Sequence, residues 1–297
     1  MIVLTPAASA MAAAALAAGA QATEAPAAVD PPSAAAVLAL AVLQGLTEFL
    51  PVSSSGHLAL GRALLGVREG GLALDVALHV GTLAAVVAAF RRDVGRLLKD
   101  LFRGHLALWV WLGAATVPVA LVGMLLKSHV EAASTSVTAA GVGLLLTSVL
   151  LLAGERARKG HEASREVTDP SPVARPRPWD AVAMGCAQAV AVWPGVSRSG
   201  STISAGLLMG VRAEEAARLS FLMSIPAISG AAVLELPAAV DEGFGGISSG
   251  LVLGAAAVAA VVGFAALRTL LLVLRKGSFR YFAAYCATLG VAALALA

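Results

Sequence analysis

Charge is what this chain most lacks. Asp, Glu, Lys and Arg make up 13% of its 297 residues and apolar residues 59%, whereas a soluble globular domain carries about 25% charged residues. With a mean hydropathy of +0.85, an ordinary water-soluble fold is excluded. Cysteine is nearly missing too. Cys186 and Cys286 are the only two, both in apolar segments and without metal-ligand spacing, so they read as small buried hydrophobes rather than a disulfide or a metal site. Strict alternation of polar and apolar residues is absent, which excludes a transmembrane β-barrel. A basic leader is absent from the Ala-rich first 33 residues. Although "AGAQA" resembles a cleavage site, residues 1–33 therefore read as an extension, signal-like or disordered. The net charge of +3 comes from cations in short loops, as the positive-inside bias requires. It implies no nucleic-acid partner.

What is present is a set of long apolar runs, near Leu72–Phe90, Leu106–Leu126, Ser134–Ala153, Glu215–Leu236, Ile247–Leu274 and Tyr281–Ala297. Crossing about 30 Å of hydrocarbon takes about 20 residues, so the expected fold is an all-α integral membrane protein. Trp179, Trp109 and Trp111 lie near run ends and suit an interfacial aromatic belt. The serines and threonine of Ser134–Thr138 suit a helix start.

The chain is also duplicated. A gapless shift of 144 residues pairs Gln44 with Gln188, Ser53 with Ser197, Ser55 with Ser199, Gly56 with Gly200, and Gly66-Val67 with Gly210-Val211. The same shift carries the early apolar runs onto the later ones. Residues 34–297 then form one membrane domain: repeat 1 over about 34–153, a cytoplasmic linker over about 154–178, and repeat 2 over about 179–297. Each repeat has a polar-centred segment followed by three spans, and an odd number of spans predicts that the second copy is inverted. Arg91–Arg103, Glu155–Arg177 and Arg275–Arg280 are rich in Lys and Arg, whereas Lys127–Glu131 and Pro237–Gly246 are nearly devoid of them, which puts the rich loops in the cytoplasm. Both polar-centred segments then begin and end on one side, as re-entrant helix pairs broken at mid-membrane depth.

The centres carry the chemistry. "QGLTEFLPVSSSGHL" gathers Gln44, Glu48, Ser53, Ser54, Ser55 and His57; "WPGVSRSGST" gathers Ser197, Arg198, Ser199, Ser201 and Thr202. In register, Glu48 faces Val192 and Ser54 faces Arg198, so one copy supplies acid, hydroxyl and imidazole and the other the cation. Arginine's planar fork fits phosphate or carboxylate oxygens. Free N–H groups at half-helix N-termini add to an anion cradle. An internal Arg198–Glu48 lock between helices is the competing reading. His57 beside serine offers a proton carrier and a nucleophile. Glu48 with Gln44 one turn earlier offers oxygens for Mg²⁺ or Ca²⁺, completed by phosphate oxygens. Asp75 and His79 read as partners of this site or as helix–helix contacts. These features alone describe an inverted-repeat lipid-phosphate flippase or anion transporter equally well.

At these two stretches the sequence resembles the undecaprenyl-pyrophosphate phosphatase family of the bacitracin-resistance type. Its signatures, Glu/Gln-x-x-x-Glu leading into Pro-x-Ser-Ser-x-Gly-His, and Pro-Gly-x-Ser-Arg-Ser-x-x-Thr, are both present in order. The resemblance implies a multi-pass enzyme of the bacterial inner membrane, its site opening toward the periplasm. It would remove the terminal phosphate of a C55 isoprenyl diphosphate with a divalent cation, Mg²⁺ or Ca²⁺, and recycle the carrier for cell-wall synthesis. By motif position, Glu48 and Gln44 are metal-side residues, Ser54 the nucleophile, His57 the acid/base and Arg198 the phosphate clamp. Ser53, Ser55, Ser197, Ser199 and Thr202 surround the phosphate. Gln44 stands at the first acidic position. Partners are the lipid diphosphate and the membrane, with a homodimer compatible; a metal-activated water stays open as an alternative to Ser54.

Overall fold

A computed structural model describes residues 31–67, 71–168, 177–244, 246–276 and 279–297. Most of the N-terminal extension and residues 169–176 of the expected linker lie outside the described residues. Among those described there are twelve helices and no strand: α1 (Ala34–Phe49), α2 (Ser54–Leu65), α3 (Gly71–Ala89), α4 (Arg91–Phe102), α5 (Ala107–Leu125), α6 (Lys127–Ser134), α7 (Val137–Thr168), α8 (Pro178–Val190), α9 (Arg198–Leu208), α10 (Ala213–Glu242), α11 (Ser249–Lys276) and α12 (Arg280–Leu296).

Local chemistry sets the boundaries. Ser33 caps α1 by accepting from the Ala36 N–H at 3.2 Å, and α1 ends at Leu50 because Pro51 drives the residue before it out of the helical region, to φ −64°, ψ 143°. Pro178 opens α8, where its missing N–H costs nothing, and Asp180 accepts from the Arg177 N–H at 2.7 Å. Ser136 accepts from the Ala139 N–H at 3.2 Å and starts α7. α7 does not stop near Ala153; it continues through the expected linker to Thr168.

Five helices, α3, α5, α7, α10 and α11, are long and apolar enough to cross a membrane. This is a multi-pass membrane protein. α12 has 17 residues, about 25 Å at ~1.5 Å per residue, and packs along α7. The basic stretch after α3 is not an irregular loop but the amphipathic helix α4. Trp109 donates to the Leu97 carbonyl at 2.8 Å and the buried Trp111 to the Arg177 carbonyl at 3.1 Å, so both tie elements together. Trp179 is exposed. So is Cys186, while Cys286 is buried; the expected burial holds for one cysteine only.

Packing exchanges partners between the copies. α1 lies against α11, and its counterpart α8 lies against α5; the counterparts α3 and α10 pack on each other, as do α7 and α12. α1 folds back on α2 and α8 on α9, making two hairpins with broken centres. Beneath the first centre, Phe49 meets Phe221 edge-on at 5.9 Å and Phe221 meets Phe90 at 5.8 Å.

Candidate active site

The two hairpin tips are built alike. Ser53 caps α2 by accepting from the Gly56 N–H at 3.2 Å, and 144 residues on Ser197 caps α9 by accepting from the Gly200 N–H at 3.1 Å. Ser53 and Ser55 share a hydrogen bond of 3.2 Å, Ser197 and Ser199 one of 3.3 Å. Each tip also needs a residue of positive φ to turn. In the second, Gly195 supplies it at 85°. The matching position in the first is Pro51, whose ring forbids positive φ, and the left-handed residue there is Ser53 at 69°, the one non-glycine of that kind among the described residues.

The tips meet, and their contacts are reciprocal. Ser55 Oγ accepts from the Gly195 N–H at 3.3 Å, while its counterpart Ser199 donates to the Leu50 carbonyl at 3.2 Å. Each tip is also held by the last long helix of the other copy. Thr147 on α7 donates to the Gly195 carbonyl at 3.0 Å and accepts from the Ser197 N–H at 2.8 Å; Cys286 on α12 lies 3.6 Å from the Pro51 carbonyl. The second tip sits so close to α7 that a Cβ on Gly143 would lie 2.1 Å from the Pro194 oxygen.

Where the copies differ, the site forms. Glu48 is buried, and the two residues that face each other across the repeat, Ser54 and Arg198, both reach it: Ser54 Oγ donates to its Oε2 at 2.6 Å, and Arg198 Nη2 to its Oε1 at 2.5 Å. Gln44 Nε2 also donates to Oε2 at 3.1 Å. Two buried polar atoms next to this cluster, Gln44 Oε1 and Arg198 Nη1, have no partner among the described residues. The first is an acceptor and the second a donor. α2 and α9 both begin here, aiming two helix N-termini at the same place.

The remaining candidate residues are placed as follows. Ser53 and Ser197 are committed as caps and Ser55 and Ser199 as clasps. Thr202 shares a 2.6 Å hydrogen bond with the buried Ser220 on α10, so its hydroxyl faces away from Glu48 into the bundle. His57 Nδ1 lies 2.7 Å from the Ser53 carbonyl and Nε2 2.7 Å from the Tyr285 hydroxyl; its recorded hydrogen bonds do not reach Ser54. His79 Nε2 stands 4.0 Å from Glu48 Oε2, and Asp75 pairs with Arg62 instead. Sequence reasoning missed Tyr285, Thr147 and Arg62. Tyr285 and Thr147 sit in motifless segments that only the packing brings to the tips, and Arg62 lies on α2 beyond the motif, where it pairs with Asp75.

A helical membrane protein in which two broken hairpins bring an acid, a hydroxyl and an arginine together is the class these features define. The family described as bacitracin resistance protein BacA matches residues 37–292. An undecaprenyl-diphosphatase of Rubrobacter xylanophilus is 44% identical over 261 residues, 83% of this chain and 92% of that protein. One of Desulforapulum autotrophicum is 38% identical over 272 residues, 86% and 95% of the two chains. One of Korarchaeum cryptofilum is 39% identical over 286 residues, 88% and 98%. The chain belongs to the bacitracin resistance protein BacA family.

Proposed function

We propose that this chain is an undecaprenyl-diphosphatase, a membrane hydrolase that removes the terminal phosphate of a polyprenyl diphosphate and returns the monophosphate carrier to cell-wall synthesis. One observation carries the reading: Glu48 of the first hairpin engages Ser54 of its own hairpin and Arg198 of the second, while Arg198 Nη1 and two helix N-termini stand ready for an anion. Arg198 Nη1 takes a phosphoryl oxygen. The Ser54 hydroxyl, already directed at Glu48 Oε2, passes its proton there as Oγ attacks the terminal phosphorus and the bond to the bridging oxygen breaks. His57 supplies the proton the leaving monophosphate needs, and water then cleaves the phosphoserine.

Glu48 and Gln44 would hold a divalent cation, Mg²⁺ or Ca²⁺, and the orphaned Gln44 Oε1 beside the carboxylate fits that role. No group of three or more His, Cys, Asp or Glu suited to a metal occurs among the described residues, so diphosphate oxygens would have to complete the shell. When bound, such an ion supplies charge neutralisation on the diphosphate.

The reading places the protein in the bacterial inner membrane with inverted repeats and a site open to the periplasm. The loop charges and the exchanged packing of α1 on α11 and α8 on α5 support it. In a cysteine-free background, Ser248→Cys should label from outside with an impermeant maleimide and Lys159→Cys should not; the reverse would refute this orientation. For the reaction itself, the purified full chain in detergent should release inorganic phosphate from undecaprenyl diphosphate. Vesicles that move the lipid or phosphate across the bilayer without hydrolysis would favour a transporter.

A further inference from the structure

Tyr285 is one of two tyrosines in the chain, set in an apolar helix that carries no motif. Its ring stacks on His57 with centroids 5.6 Å apart and planes 10° from parallel, and its hydroxyl lies 2.7 Å from His57 Nε2. On the other edge of the imidazole, Nδ1 faces the Ser53 carbonyl at 2.7 Å. A carbonyl only accepts, so Nδ1 carries a hydrogen in either charge state of the ring. Every proton that enters or leaves His57 must therefore use Nε2, and Nε2 is covered by the Tyr285 hydroxyl. His57 itself is 7% exposed, whereas Tyr285 is 48% exposed. The neighbouring Cys286 touches the Pro51 carbonyl, so this stretch of α12 is fixed against the first tip.

We infer that Tyr285 is the proton relay between His57 and the reacting phosphate. This rests on the diphosphatase reading above. As the bridging P–O bond breaks, the Tyr285 hydroxyl gives its hydrogen to the departing monophosphate oxygen and takes the Nε2 hydrogen of protonated His57. Tyrosine ends neutral and unchanged, and histidine ends neutral with Nδ1–H still on Ser53. In the hydrolytic half-reaction the transfers run in reverse: water loses a proton to the Tyr285 oxygen as the phenolic hydrogen returns to Nε2. Tyr285 thus does for the substrate what His57, with both nitrogens engaged, cannot do directly.

The test uses the full chain in detergent with undecaprenyl diphosphate. Tyr285→Phe keeps the stacked ring and removes the relay, so kcat should fall by about 10²-fold, the lower end for a general acid or base, with KM and thermal melting near wild type. Tyr285→Leu should lose no more kcat than Tyr285→Phe, because the hydroxyl and not the ring carries the effect. His57→Ala combined with Tyr285→Phe should be within about threefold of the worse single variant, since a relay is broken once. A Tyr285→Phe kcat within about threefold of wild type, a Tyr285→Leu loss far beyond it, or losses that multiply in the double variant would each overturn the relay. A wild-type protein that releases no phosphate would instead refute the underlying diphosphatase reading.

Discussion

At the first tip Ser53 caps α2 through the Gly56 N–H, and at the second Ser197 caps α9 through the Gly200 N–H, at distances that differ by a tenth of an ångström, 3.2 against 3.1 Å. At matched positions on that shared frame, however, stand Glu48 against Val192 and Ser54 against Arg198. The frame is what folding needs: caps for two helix starts, clasps between tips, and a turn of positive φ. The two divergent positions are what chemistry needs, because identical tips would present either two acids with no cation or two cations with no acid. The same contrast shows in the backbone. The tip with Gly195 turns without strain, whereas the tip with Pro51 holds Ser53 at φ 69° beside Ser54, a conformation costing ~1–3 kcal/mol.

The sharpest way to break the comparison is to remove the cation. Arg198→Ala deletes the unpaired Nη1 and the partner of Glu48 together, and turnover should drop by about two to three orders of magnitude, the scale of a lost transition-state donor. Arg198→Lys keeps charge without the fork and should still lose about tenfold or more. Phosphate release by folded protein measures both; a near-normal rate for Arg198→Ala would show that the second tip serves folding alone.

Moving the cation to the other copy sharpens it. Arg198→Ser leaves a buried carboxylate without its countercharge, at a cost of ~3–5 kcal/mol. Adding Ser54→Arg returns a cation to the other position that reaches Glu48, so thermal stability should recover while activity stays lost, the proposed attacking hydroxyl being gone. If stability does not recover, positions 54 and 198 are not equivalent around Glu48.

Smaller effects follow from the fastenings. Thr147→Val leaves the Ser197 N–H buried and unpaired, a loss of ~1–3 kcal/mol. Cys286→Ala removes only a weak S–H contact at 3.6 Å and should cost less. Melting temperatures that rank the two in the opposite order would show that the second tip is not held by α7.

Much of this was legible from residue order. Five of the six apolar runs became helices long enough to cross, because hydrocarbon demands about 20 apolar residues, and the 144-residue register marked both helix breaks because Pro51 and Pro194-Gly195 punctuate any helix. Burying a glutamate and an arginine in such breaks pointed to their meeting. Other features had no one-dimensional signal. Tyr285 and Thr147 sit inside apolar runs, where a hydroxyl acquires meaning only from the helix opposite. Asp75 reads as a partner of the site or a helix–helix contact; it makes the latter, and residue order does not name its partner, Arg62, 13 residues earlier on another helix. The extension of α7 to Thr168 was hidden by its charges, which mark the end of a hydrophobic span and not the end of a helix.

The central claim is that the two copies make one site, and a double-mutant cycle on kcat/KM for undecaprenyl diphosphate tests it most directly. Ser54→Ala and Arg198→Ala, singly and together, are assayed for phosphate release in detergent. If both act on one phosphoryl group through Glu48, the double variant should be no more than about threefold below the worse single, because parts of one machine fail together. Losses that multiply, each tip contributing independently, would contradict a shared site.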